Sequence, residues 1–144
     1  MLIKFDHEFI CSVEEAYSYF RTPRDWPRLF RAFGIAEERG DGWYTVPFRK
    51  LPFPLVTRIT RDDPLQRVEW EFKGFWHGEG QVSFVPTEHG VIIRGFERIS
   101  AKSLGFLAPF VEPLLLQKPF ERVWESGWRW LRGKGMSVNQ PDMG

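Results

Sequence analysis

The order of its parts constrains this chain more than any single motif. Ile3, Phe5, His7, Phe9 and Cys11 alternate with Lys4, Asp6 and Glu8, the period of a half-buried strand over Leu2 to Cys11. Ser12-Val13-Glu14-Glu15 follows at once as a capping box, and Val13, Ala16, Tyr17 and Phe20 continue it as a helical stripe. Pro23 stops that helix. Asp25 and Pro27 start a second short one, docked by Trp26, Leu29, Phe30 and Phe33. Strand-like runs fill the middle of the chain and a helical pattern closes it. This order predicts an α+β fold in which a curved antiparallel sheet grips one long C-terminal helix. A sheet curled around a single helix leaves space between them, so the pattern describes a container better than a catalyst.

The middle strands are legible one by one. Ile35 to Arg39 and Trp43 to Arg49 form a hairpin around Gly40-Asp41-Gly42. Leu51-Pro52-Phe53-Pro54 is a loop, because two close prolines would interrupt ladder hydrogen bonds. Leu55 to Arg61 is a strand. In Arg67 to Gly74, Val68, Trp70 and Phe72 face one way and Arg67, Glu69 and Glu71 the other. Trp76 to Val85 is its hairpin partner, and Val91 to Ser100 is the last strand. From about Leu104 to Arg132 the pattern is helical but carries Pro109, Pro113 and Pro119. Interior prolines break helices. The expectation is an irregular lead, then a main helix from about Pro119 with Phe120, Val123, Trp124, Trp128 and Leu131 on its buried face. One domain spans 2–132, and 133–144 is a flexible tail.

Composition narrows the function. The aromatic share is 17%, with seven Trp and fourteen Phe, more large rings than a small core easily interdigitates. A net charge of +1 gives no general pull toward nucleic acid, and Arg24, Arg28 and Arg31 read as a solvated helix face. A charged N-terminus lacks the apolar stretch of a signal peptide, and no apolar run reaches membrane-spanning length. With a single cysteine, the expectation is a soluble cytoplasmic protein. His7, His77, His89 and Cys11 are too scattered for a recognisable metal site, and no cofactor motif is present, so neither is expected. His77-Gly78-Glu79 lacks the following cysteine pair of a deaminase, and Gly-x-Ser-x-Gly is absent. Gly78-Glu79-Gly80 and Gly133-Lys134-Gly135 lack the spacing of phosphate loops.

Two constellations remain. Trp70, Phe72, Trp76 and Phe84 make a ring-rich patch on adjacent strands, with Gly74, Gly78 and Gly80 opening space beside them. If Gly95 marks the concave face of the last strand, Glu97 points inward, and so does His7 by its own alternation. A carboxylate and an imidazole in an aromatic chamber are costly unless paired or wet. They are the candidate acid–base or ligand-orienting groups.

The strand entering Ser12-Val13-Glu14-Glu15-Ala16-Tyr17, the run from Phe20 through Trp26-Pro27, Val68-Glu69-Trp70, Gly90-Val91-Ile92-Ile93 and the terminal helix together resemble the helix-grip superfamily. That group, also called SRPBCC proteins, includes START lipid-transfer domains, polyketide cyclases and plant pathogenesis-related allergens. The resemblance covers about residues 2–132 and implies an apolar cavity under the last helix. It implies a binding or carrier protein for a hydrophobic or aromatic small molecule, a lipid, polyketide or quinone. The ligand would lie between the sheet and Phe110, Leu114 and Leu115, with Gly105 to Leu116 as a lid. One alternative is a cyclase or dehydratase using Glu97 and His7. A second is a protein- or membrane-interaction module using Phe106 to Leu116, through transient contact. Oligomeric state is left open.

Overall fold

The computed structural model describes residues 1–51 and 53–138. β1 (Leu2–Phe9) leads into α1 (Val13–Ser18), a short 3-10 turn at Pro23–Asp25 and α2 (Trp26–Leu29). β2 (Glu37–Gly40), β3 (Trp43–Val46), β4 (Leu55–Asp63), β5 (Arg67–Lys73), β6 (His77–Pro86) and β7 (Val91–Ser100) follow. The sheet is antiparallel throughout, in the order β1-β7-β6-β5-β4-β3-β2. Its curvature is helped by register breaks at Glu38/Gly40 and Ile59/Arg61, since bulges bend and twist a strand.

The lead into the last helix is irregular, as the prolines require. It runs as 3-10 turns over Lys102–Leu107 broken at Gly105 (φ 60°), α3 (Ala108–Val111) and a π-helical turn (Glu112–Leu116). α4 then spans Gln117–Val138 with Pro119 in its first turn. The helix therefore continues past the expected end at Arg132, and the first part of the expected tail is helical. Residues 139–144 and Pro52 lie outside the described residues. Ser12 caps α1 by accepting from the Glu15 N–H at 3.0 Å. The Glu15 carboxylate turns away from the expected box and accepts from Lys134 Nζ at 2.8 Å, tying α1 to α4.

The core lies between the concave face of the sheet and α4. Ile3, Phe5 and Phe9 of β1, Val68, Trp70 and Phe72 of β5, and Phe120, Val123, Trp124, Trp128 and Leu131 of α4 are all buried, as the two periodicities predict. Phe5 stacks on Trp124 at 4.6 Å, and Trp124 meets Phe30 edge-on at 4.9 Å. Two glycines make this density possible. A Cβ on Gly127 would sit 2.7 Å from the Phe30 ring, so α2 rests directly on the α4 backbone. A Cβ on Gly80 would sit 2.5 Å from the Trp70 indole, which lies across it.

Gly80→Ala is therefore an overpacking change against a fully enclosed ring. It should cost about 1–3 kcal/mol of stability by denaturant unfolding, with an unchanged denaturant dependence.

Candidate functional site

A row of paired residues crosses the concave face. Ile3 of β1 sits opposite Glu97 of β7, Glu97 opposite Gly80 of β6, and Gly80 opposite Trp70 of β5. The missing side chain at Gly80 lets the indole of Trp70 extend toward Glu97. From above, α4 brings Trp124, whose Nε1–H donates to Glu97 Oε2 at 2.5 Å. α2 and its flanks close the space with Trp26, Phe30 and Phe33, and α1's end adds Phe20. The result is an aromatic chamber with Glu97, only 4% exposed, as its one ionisable wall residue.

The chamber is nearly full. Its free volume is about 20 Å³, room for roughly one water. Its polar groups are only partly satisfied. Trp124 is the hydrogen-bond donor to Glu97, while Trp70 Nε1 is buried without a hydrogen-bond partner among the described residues. The Trp70 N–H is close enough to favour the Glu97 carboxylate electrostatically but does not reach bonding geometry with it. Burial dominates the balance. It pushes the Glu97 carboxyl up from 4.5 to about 7 against the opposing pull of Trp124 and then Trp70. At neutral pH this group can therefore both give and accept a proton.

The expected site residues fall into three sets. Trp70 and Glu97 line the chamber. Phe72, Trp76 and Phe84 are buried but pack elsewhere in the core. Phe84 lies against Phe20 and Tyr17, and Trp76 lies against Phe48 and Phe120 while its Nε1–H donates to the Phe53 carbonyl at 2.9 Å. Phe110 and Leu115 do not face the chamber: they are 68% and 66% exposed, because the irregular lead turns them outward. The Leu114 side chain lies outside the described residues.

His7 is also a correction. It points to the concave side, but it pairs with Ile93, while Glu97 pairs with Ile3. Four residues along a strand separate the two positions by about 13 Å. His7 instead packs on Phe9 and Trp128, and burial, then Arg132, lowers its pKa. No acid–base pair forms. Trp124, Phe30, Phe20 and Trp26 were legible as core residues only; that they surround Glu97 depends on register and helix placement. Among the described residues no group of three or more His, Cys, Asp or Glu side chains could hold a metal ion. Burial raises the Cys11 thiol to about 11, which leaves it a poor nucleophile.

Searches of family models and of curated proteins find no match. Solved structures do match. A START superfamily protein from Mycobacterium smegmatis superposes with a TM-score of 0.70 at 12% identity, over 96% of this chain and 99% of that one. This decides the fold. The chain has the START-like helix-grip fold. A conserved protein from Geobacillus kaustophilus gives 0.69 at 11% identity, over 95% and 96% of the two chains. The Aha1 dimer from Colwellia psychrerythraea gives 0.54 at 16% identity, over 68% and 75%. At these identities the START-like likeness is one of fold. No helix among the described residues is long and apolar enough to cross a membrane.

The raised Glu97 carboxyl has a signed consequence. Between about 4.5 and about 7 the folded chain keeps a proton that the unfolded chain has released. Stability should fall as pH rises through that window and then level off, by about 3 kcal/mol for a shift of this size. Glu97→Gln keeps an acceptor for Trp124 and should remove this component. Unfolding of both proteins at about pH 5 and about pH 8 measures the difference.

Proposed function

We propose that this protein binds a small apolar or aromatic molecule carrying one hydrogen-bonding group, in the chamber between the sheet and α4. The observation that supports this is Trp70 Nε1, buried without a hydrogen-bond partner among the described residues beside the Glu97 carboxyl, in an otherwise apolar enclosure. Buried polar atoms ordinarily have partners, and a ligand group or water completes such a set. The closed chamber is far below the roughly 300–1,000 Å³ of ligand pockets, so binding requires Phe30, Phe120 and Trp124 to move apart. Burial of apolar area would drive it, and Glu97 would orient the polar group, accepting from a hydroxyl when ionised and donating to a carbonyl when protonated. The proposed setting is the cytoplasm, where the protein acts as a carrier.

The test is a titration with naphthol and with naphthalene. Naphthol should bind one-to-one, quench tryptophan fluorescence and raise the unfolding temperature by mass action. Glu97→Leu should erase the preference for naphthol over naphthalene. No saturable binding of either compound would remove the reading.

A catalytic version, a cyclase or dehydratase, rests on Glu97 alone now that His7 stands elsewhere. It requires turnover that Glu97→Gln abolishes while binding survives. A separate reading has its own observation. Phe106, Phe110 and Leu115 are 84%, 68% and 66% exposed on one segment, apolar side chains suited to contact with a protein or a membrane. Phe106→Ser with Phe110→Ser would abolish such contact without touching naphthol binding.

A further inference from the structure

A second concavity lies outside the chamber. Arg31 and Ala32 form one side, Phe48 to Leu51 another, and Pro119, Arg122, Val123 and Ser126 of α4 the third. Its volume is about 540 Å³, within the range of ligand sites. One wall is fixed by backbone pairing: the Arg49 N–H donates to the Ala32 carbonyl at 2.8 Å, and Gly34 N–H donates to the Pro47 carbonyl at 2.8 Å.

The charge here differs from the rest of the surface. The lining carries Arg31, Arg49, Lys50 and Arg122 and no carboxylate, in a chain whose net charge is only +1. Most of the other arginines meet acids, among them Arg24 with Glu38, Arg58 with Glu71, Arg61 with Asp63 and Arg94 with Asp6. Among the described residues, none of the four groove cations has an acidic partner. Arg31 lies over the Trp130 ring at 5.0 Å, and Arg49 Nε donates to the Phe33 carbonyl at 3.2 Å. Four cations around an apolar floor of Phe48, Leu51 and Val123 complement an anion with an apolar body.

The groove also adjoins the chamber. Val123 borders both spaces. Phe48, on the groove side, packs at 5.1 Å from Phe33 and 5.4 Å from Phe120, and both of those rings line the chamber. Val123 and the Phe48 ring, backed by Phe33 and Phe120, thus stand where the charged groove meets the apolar chamber. We propose that the groove is the headgroup site of an anionic amphiphile, a carboxylate or a phosphate monoester, whose apolar body passes Phe48 into the chamber. This rests on the chamber being the binding site, and it names the ligand class that the site takes.

The experiment compares dodecanoate, dodecyl phosphate and dodecanol, each below its micelle-forming concentration, by titration against tryptophan fluorescence. The anions should bind about tenfold more tightly than dodecanol at low salt, an advantage that added salt reduces. Whichever anion binds more tightly separates a fatty-acid-like from a phospholipid-like source. Lys50→Gln with Arg122→Gln changes only exposed side chains and removes two of the four groove charges, and it should reduce the advantage several-fold while leaving dodecanol binding as it was. Equal affinity of the wild type for all three compounds overturns the headgroup site and leaves the chamber reading standing. An advantage undiminished by the double substitution also overturns it. Binding of the anions with no binding of dodecanol or naphthol overturns the chamber reading, and with it the passage of the tail past Phe48.

Discussion

The hydrogen bond from Trp124 to Glu97 is the constraint around which the interior is organised. It joins the last strand to the last helix through a carboxylate that is almost wholly removed from water. Such a group is tolerated only with partners or with its proton, and here both devices operate: one indole donor, and a carboxyl raised to about 7. The rings around it carry no charge. They fill space, and Gly80 and Gly127 set how closely Trp70 and Phe30 approach. An all-apolar residue at position 97 would pack as well without that penalty. A charge-bearing group beside an indole N–H that has no partner among the described residues is what points from core toward site.

Much of the fold was legible because one physical rule dominated each segment. β1 and β5 alternate, and burial follows the alternation. Proline chemistry gave the irregular lead and placed Pro119 in the first turn of α4. Both faces of Val91 to Ser100 carry apolar residues, so the inward direction of Glu97 is legible only on the condition that Gly95 marks the concave face. The failures share a cause. Whether His7 meets Glu97 depends on the offset between β1 and β7, which no local pattern encodes. Whether Phe110 and Leu115 face in depends on the phase of a segment that passes from 3-10 to α to π geometry within fifteen residues, 102 to 116, where helical periodicity loses meaning. The chamber's roof from α2 was read as simple docking, because Trp26, Phe30 and Phe33 look the same in sequence whether they pack on a sheet or around a carboxylate.

The charge pattern shows the same division between local and global information. Arg24, Arg28 and Arg31 all read in sequence as one solvated face, and only Arg24 and Arg28 of the three pair with acids, Glu38 and Asp25. Arg31, three positions on, instead joins Arg49, Lys50 and Arg122 from distant parts of the chain. A net charge near neutrality conceals that gathering, since composition sums charges without regard to where the fold places them. An apolar inner space behind a cationic outer one is a property of the START-like fold of this sequence, visible only once α4 lies against the Phe48 run.

The most direct measurement is a crystal structure of the protein grown with naphthol. The account predicts the ring inside the chamber, its oxygen within hydrogen-bond distance of Glu97, and Trp124 and Phe30 displaced to admit it. Naphthol bound only outside, with the chamber as closed as before and Trp124 still on Glu97, would contradict it.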